Sequence, residues 1–173
     1  MNIVNPFFLF ELKTTGLTLF GKHVNDLNIQ VTPKEVDDYL FQNINSYWAS
    51  WIVDAPVDIR NRMKIFFSPR FTEWVILGMA RQLYTLETGE ITSKSQAGHY
   101  CLSRLPCDFE KIITAALTAR HSKNSLPLVR SYLPSPSISR IKQTMKCGRY
   151  ILEQFNTRYR EKYHQKGGMK LYE

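Results

Sequence analysis

The sequence predicts an all-α protein: an antiparallel bundle of about five to six helices behind a short extended N-terminal segment. Three observations lead there. Apolar residues recur at spacings of three and four along most of the chain. Several of these runs open on a capping residue and close on glycine or proline. Only residues 17–20 (Leu17 to Phe20), with 28–31 as a second stretch, read as strand.

The elements follow in order. Residues 1–31 form a lead-in segment, a short helix plus an extended stretch. Residues 32–173 form the helical bundle domain. It begins with Thr32-Pro33-Lys34-Glu35, a capping box with proline at the first helical position. Val36, Leu40, Ile44, Tyr47 and Trp51 then share one face, until Asp54-Ala55-Pro56 ends the helix. A second helix covers 57–66. A third opens near Ser68-Pro69, carries Ile76, Met79, Leu83 and Leu86 as its apolar stripe, and stops at Thr88-Gly89. A fourth spans Ser93 to Arg104, with Ser93 and Gln96 spaced as a capping box. A fifth starts at Pro106 and turns Phe109, Ile112, Ile113 and Ala116 inward. The proline- and serine-rich stretch 126–137 is a connection. The final helix, about 138–163, sets Ile138, Ile141, Met145, Gly148, Leu152, Phe155 and Tyr159 on one seam.

Composition excludes several classes. With 43% hydrophobic and 22% charged residues among 173, the chain is globular rather than disordered and long enough for a real core. No apolar run reaches the roughly 18 residues of a membrane span. The opening MNIVNPFFLFELK has no Lys or Arg ahead of its short apolar patch and Glu11 directly after it, a poor signal peptide. The expectation is a cytoplasmic protein with no membrane partner. Cys101, Cys107 and Cys147 are odd in number and form no C-x-x-C pair; His23, His99, His121 and His164 are scattered. That pattern offers neither a disulfide framework nor a metal site.

The net charge of +8 is uneven: residues 140–173 hold nine Lys or Arg against three Glu. Such a stretch is either a solvated helix face or a surface for nucleic acid or a phosphorylated ligand. No aromatic-basic interleaving accompanies it, which argues against nucleic acid. No catalytic constellation is visible. There is no Asp-x-Asp, no Gly-Ser, no phosphate-binding glycine loop and no G-x-S-x-G elbow. Asp37 and Asp38 are adjacent, and helix geometry points them apart. The suggestive position is Lys94. It stands at the first helical position after Ser93, where backbone amides and an ammonium together make an anion site; the alternative is a solvated first-turn lysine.

Residues 68–106 carry Ser68-Pro69-Arg70, Arg81, Tyr84, Thr88-Gly89-Glu90-Ile91, Ser93-Lys94 and Leu105-Pro106. With Gly16-Leu17-Thr18-Leu19-Phe20-Gly21 ahead of it, this stretch resembles the C-terminal helical domain of the aminoglycoside (streptomycin/spectinomycin) adenylyltransferases. The resemblance covers roughly residues 10–120. It implies a domain that closes one side of a cleft in which ATP and drug meet. The magnesium-binding carboxylates and the base would come from an N-terminal nucleotidyltransferase domain, and this chain starts about where that domain should end. The expectation is therefore a helical domain with no catalytic residue of its own. ATP and magnesium enter only with the other domain. A nucleotidyltransferase domain in trans, for which this chain would be an interaction module, or a homo-oligomer is the partner this leaves open. The resemblance implies that Lys94 touches the ATP phosphates. Arg120 falls where the family has a nucleotide-side tyrosine. The family's acidic drug contact aligns with Phe71; Glu73 is near enough to stand in for it, or else serves the helix dipole in the first turn. Trp74, with Trp48 and Trp51, offers flat walls to a sugar ring, or else belongs to the core.

Overall fold

The computed structural model describes residues 5–53, 69–121 and 137–163. The protein is all-α. Helix α1 (Pro6–Thr15) is capped by Asn5, whose Oδ1 accepts the amide of Phe8 at 2.8 Å. Helix α2 opens at Pro33–Asn43 behind Thr32. Thr32 Oγ1 accepts the Glu35 amide at 3.2 Å, and Glu35 Oε2 accepts the Thr32 amide at 2.8 Å. The predicted capping box is formed, and the Thr32 amide and hydroxyl, both donating to Glu35 Oε2, hold the Glu35 carboxyl below its usual range. α2 continues through a π-helical turn, Ile44–Trp48, into Ala49–Ile52. The helix expected over 57–66 lies outside the described residues. So does the 126–137 connection apart from Ser137, which opens the last helix.

Helix α3 (Pro69–Thr88) is the axis of the bundle. Its predicted stripe of Ile76, Met79, Leu83 and Leu86 is buried, and so are Phe71, Thr72, Val75, Leu77 and Ala80 on its other sides. Gly89, at φ +74°, ends it and donates its amide to Thr85 O at 2.8 Å. Helix α4 (Lys94–Arg104), a 3₁₀ turn (Cys107–Phe109) with helix α5 (Glu110–His121), and helix α6 (Ser137–Tyr163) all pack on α3.

The contacts give each helix its direction. α2 runs antiparallel to α3, since Gln82 bonds Asn43 and Gly78 faces Trp48. α2 and α6 are antiparallel as well: Asn45 pairs with Asn156, and Arg149 donates to Ile52 O. α6 runs in the same sense as α3, because Thr72 meets Thr144 near one end and Glu87 meets Arg158 near the other. α4 starts beside Glu73, so the chain after Gly89 doubles back along α3 before α4 begins.

Two expectations are corrected. Residues 17–20 and 28–31 are not strand; the described residues contain none. A strand needs a neighbouring ladder for its amides and carbonyls. Instead Leu17, Leu19 and Phe20 are exposed, Phe20 fully so. The seam of α6 is also displaced. Its buried line runs through Arg140, Thr144, Cys147, Gly148, Ile151, Phe155 and Tyr159, while Ile141, Met145 and Leu152 flank it and Ile138 is exposed. Two polar residues hold inward positions there. Thr144 Oγ1 lies 3.0 Å from Thr72 Oγ1 and donates to Arg140 O at 2.9 Å, so its hydroxyl is satisfied without water.

α2 and α6 are clamped by tyrosine–carboxylate bonds. Asp37 accepts from Tyr163 at 2.6 Å and from Lys162 at 2.7 Å, and Asp38 takes Tyr159 and Lys34. Asp37 and Asp38 thus take separate partners, as their adjacency on one helix requires. Several basic residues of the last helix are spent inside the fold: Lys162 on Asp37, Arg158 on Glu87 and Glu161, Arg149 on the end of α2. Among the described residues, no helix is long and apolar enough to cross a membrane.

Candidate functional site

Three helices bring cations to one end of the bundle. α3 supplies Arg81, and one face of the same helix supplies Glu73 nearer its start. The returning segment Ile91–Ser93 lays the N-terminus of α4 against that face. There Ser93 and Gln96 cap each other, with the Gln96 amide on Ser93 Oγ at 3.2 Å and the Ser93 amide on Gln96 Oε1 at 3.3 Å. Lys94, the first residue of α4, reaches Glu73 Oε1 with its Nζ at 3.4 Å. The last turn of α5 delivers Arg120 Nη1 to the same oxygen at 3.2 Å. Ser95 Oγ and His121 Nε2, 3.2 Å apart, tie these two helix ends together. α1 forms the remaining wall: Glu11 Oε1 accepts from Arg81 Nη2 at 2.8 Å, and the Arg81 guanidinium lies over the Phe7 ring.

Glu11, Thr15, Arg81, Ser93, Lys94, Gln96 and Arg120 line a cleft of about 450 Å³. Glu73 lies beneath it, with a side chain only 10% exposed. Three cations meet two carboxylates, so the cleft carries a positive excess, reinforced by the N-terminal end of α4. Arg81 Nε is buried and has no hydrogen-bond partner among the described residues. A cationic cleft of this kind holds polyanions; a phosphate chain fits both its charge and its donors. Among the described residues no group of three His, Cys, Asp or Glu is placed to hold a metal ion.

Lys94, Arg120 and Glu73 are therefore brought together, as neighbours on a shared carboxylate oxygen. Trp74 is not with them. The next residue along α3 projects in another direction, and its ring lies 5.0 Å from Trp48, 5.0 Å from Trp51 and 6.0 Å from Tyr47. Phe71 is fully buried and touches this aromatic cluster. Sequence reasoning missed two charged residues of the cleft. Arg81 was visible as part of a resembling stretch but carried no separate signal of its role. Glu11 had none, since its partner lies 70 positions away.

The family model for the C-terminal domain of aminoglycoside adenylyltransferase matches residues 68–146. This segment belongs to that family. Glu73, Arg81, Lys94 and Arg120 all lie within the adenylyltransferase segment, whereas Glu11 and α1 lie outside it. No curated protein matches the chain.

Proposed function

We propose that this chain supplies the phosphate-facing wall of a nucleotide site, and that a nucleotidyltransferase domain with the metal-binding carboxylates completes it. The observation that carries the proposal is the convergence of Arg81, Lys94 and Arg120, from three helices, on one cleft at the capped start of α4. ATP is the nucleotide that family membership suggests. Lys94 and Arg120 would hold its phosphates. Glu73 would keep the two cations aligned; its carboxylate is already shared between them, which disfavours it as a direct contact to a polycationic drug. Trp74 is half-buried in an aromatic cluster with Trp48 and Trp51, away from the cleft, which favours a packing role over sugar stacking.

In this proposal the chain does not transfer AMP by itself. The exposed Leu17, Leu19 and Phe20, which follow directly on the cleft wall at Thr15, favour a partner domain over isolated action. Equilibrium binding of ATP to the purified chain, followed by calorimetry, tests the nucleotide site: Lys94→Gln and Arg120→Gln should each weaken binding several-fold. Unchanged affinity in both variants would remove the reading. Adenylylation of an aminoglycoside by the purified chain alone would overturn the non-catalytic part.

A further inference from the structure

We propose that α1 is a gate on the cleft and that Glu11 is an internal stand-in for the anion, which must release Arg81 before a phosphate chain can engage all three cations. This rests on the phosphate reading of the cleft given above.

The two carboxylates of the site are not equivalent. Glu73 sits on the central helix, 10% exposed, and serves Lys94 and Arg120 at once. It is a fixed part of the wall. Glu11 is 39% exposed and stands on a helix with no fully buried residue, which packs mainly on α2 and the short turn Val24–Asp26 and touches the core through the half-buried Phe7 and Phe10. The partner Arg81 is 24% exposed, so the pair is held from the Arg81 side and open to solvent on the Glu11 side, and it is weaker than the shared contacts of Glu73. α1 is therefore the wall that moves at least cost.

Arg81 shows what Glu11 leaves undone. The carboxylate accepts from Nη2, while Nε stays buried without a partner. A guanidinium presents Nε and Nη2 as a fork, and a phosphate with several oxygens can accept from both donors. A phosphate approaching Arg81 would meet the negative charge of Glu11 in the same place. Ligand and Glu11 therefore compete for one guanidinium, and binding is coupled to release of α1. The span of the family match agrees with this division: the three cations lie inside it and the gate outside.

The test uses the purified chain and inorganic triphosphate as probe, at low salt, with binding followed by calorimetry and amide exchange followed over residues 6–15. Glu11→Gln should bind triphosphate about threefold to fivefold tighter than the wild type, the range expected for removing one weakly held competing charge. In the wild type, saturating triphosphate should speed exchange in α1. In Glu11→Gln, α1 should exchange fast with or without ligand. Binding by Glu11→Gln that is equal or weaker, while Lys94→Gln still loses affinity, overturns the gate and leaves the phosphate site standing. Unchanged exchange in wild-type α1 at saturating triphosphate does the same, and it needs no variant to fold. Triphosphate binding that is absent, or identical in wild type and Lys94→Gln, overturns the phosphate reading and the gate with it.

Discussion

Gly78→Ala should destabilise the protein although alanine is the better helix former. Gly78 lies in the interior of α3, where alanine in place of glycine contributes about 1 kcal/mol of helix propensity. A Cβ at Gly78, however, would run into the outer edge of the Trp48 ring. That ring is buried, and Trp74 and Tyr47 hold it at centroid distances of 5.0 and 5.3 Å, so it has nowhere to swing. Overpacking of a well-filled core costs about 1–3 kcal/mol, and the rigid ring places this case at the upper end. The net expectation is a loss of about 1–2 kcal/mol. Gly98 provides the contrast. A Cβ there meets only side-chain carbons of Leu117 and Leu77, which are jointed and can give way, so Gly98→Ala should stay within about 1 kcal/mol of wild type. Urea unfolding of both variants, and of Gly78→Ala in a Trp48→Phe background, measures the effect. With the outer ring removed, Gly78→Ala should become neutral or stabilising relative to Trp48→Phe alone. Equal stabilities for Gly78→Ala and wild type, or the same cost in both backgrounds, would refute the clash as cause.

Three further outcomes follow from other contacts. Asp37→Asn should cost about 2–3 kcal/mol in urea unfolding, because it weakens a buried acceptor shared by Tyr163 and Lys162; Lys34→Ala, which removes the exposed pair with Asp38 and the ammonium over the Tyr163 ring, should cost under about 1 kcal/mol. Burial, together with its bond to Asp38, pushes the Tyr159 hydroxyl up to about 12. The folded state therefore holds this proton more tightly than the unfolded chain. The stability it contributes is complete below pH 10 or so, the ordinary tyrosine value, and is lost as pH rises towards 12. Tyr159→Phe should flatten that limb of the stability curve, and an unchanged slope would exclude Tyr159 as its source. A thiol reagent should modify Cys107 alone in the native protein and all three cysteines after unfolding, since Cys101 and Cys147 are buried and burial raises both thiols, Cys101 to about 12. Fast native labelling of either buried thiol would show that the α4–α3–α6 core opens readily.

Local chemistry was legible along the chain wherever it sufficed to set the structure. Thr32 and Ser93 meet their Glu and Gln three residues on, and Gly89 takes the left-handed cap, because these bonds close within one helical turn. The stripe of α3 was legible for the same reason, although it showed only one side of a helix that is buried nearly all round. The strand expected over 17–20 failed because a short apolar stretch says nothing about whether a partner ladder exists. The α6 seam shifted because Thr144 and Arg140 look like surface residues until Thr72 is known to face them.

By itself the sequence determined the helical class, most helix ends and the place of Lys94 at the first position of a capped helix, since each depends on residues within a few positions of one another. Only the tertiary structure decided the site. The return of the chain after Gly89 puts Lys94 and Arg120 on Glu73, contacts 21 and 47 positions apart, and α1 puts Glu11 on Arg81. Charge at such separations is invisible to periodicity. It becomes a cleft when the apolar faces of α3, α4 and α5 pack and leave their polar ends at one place.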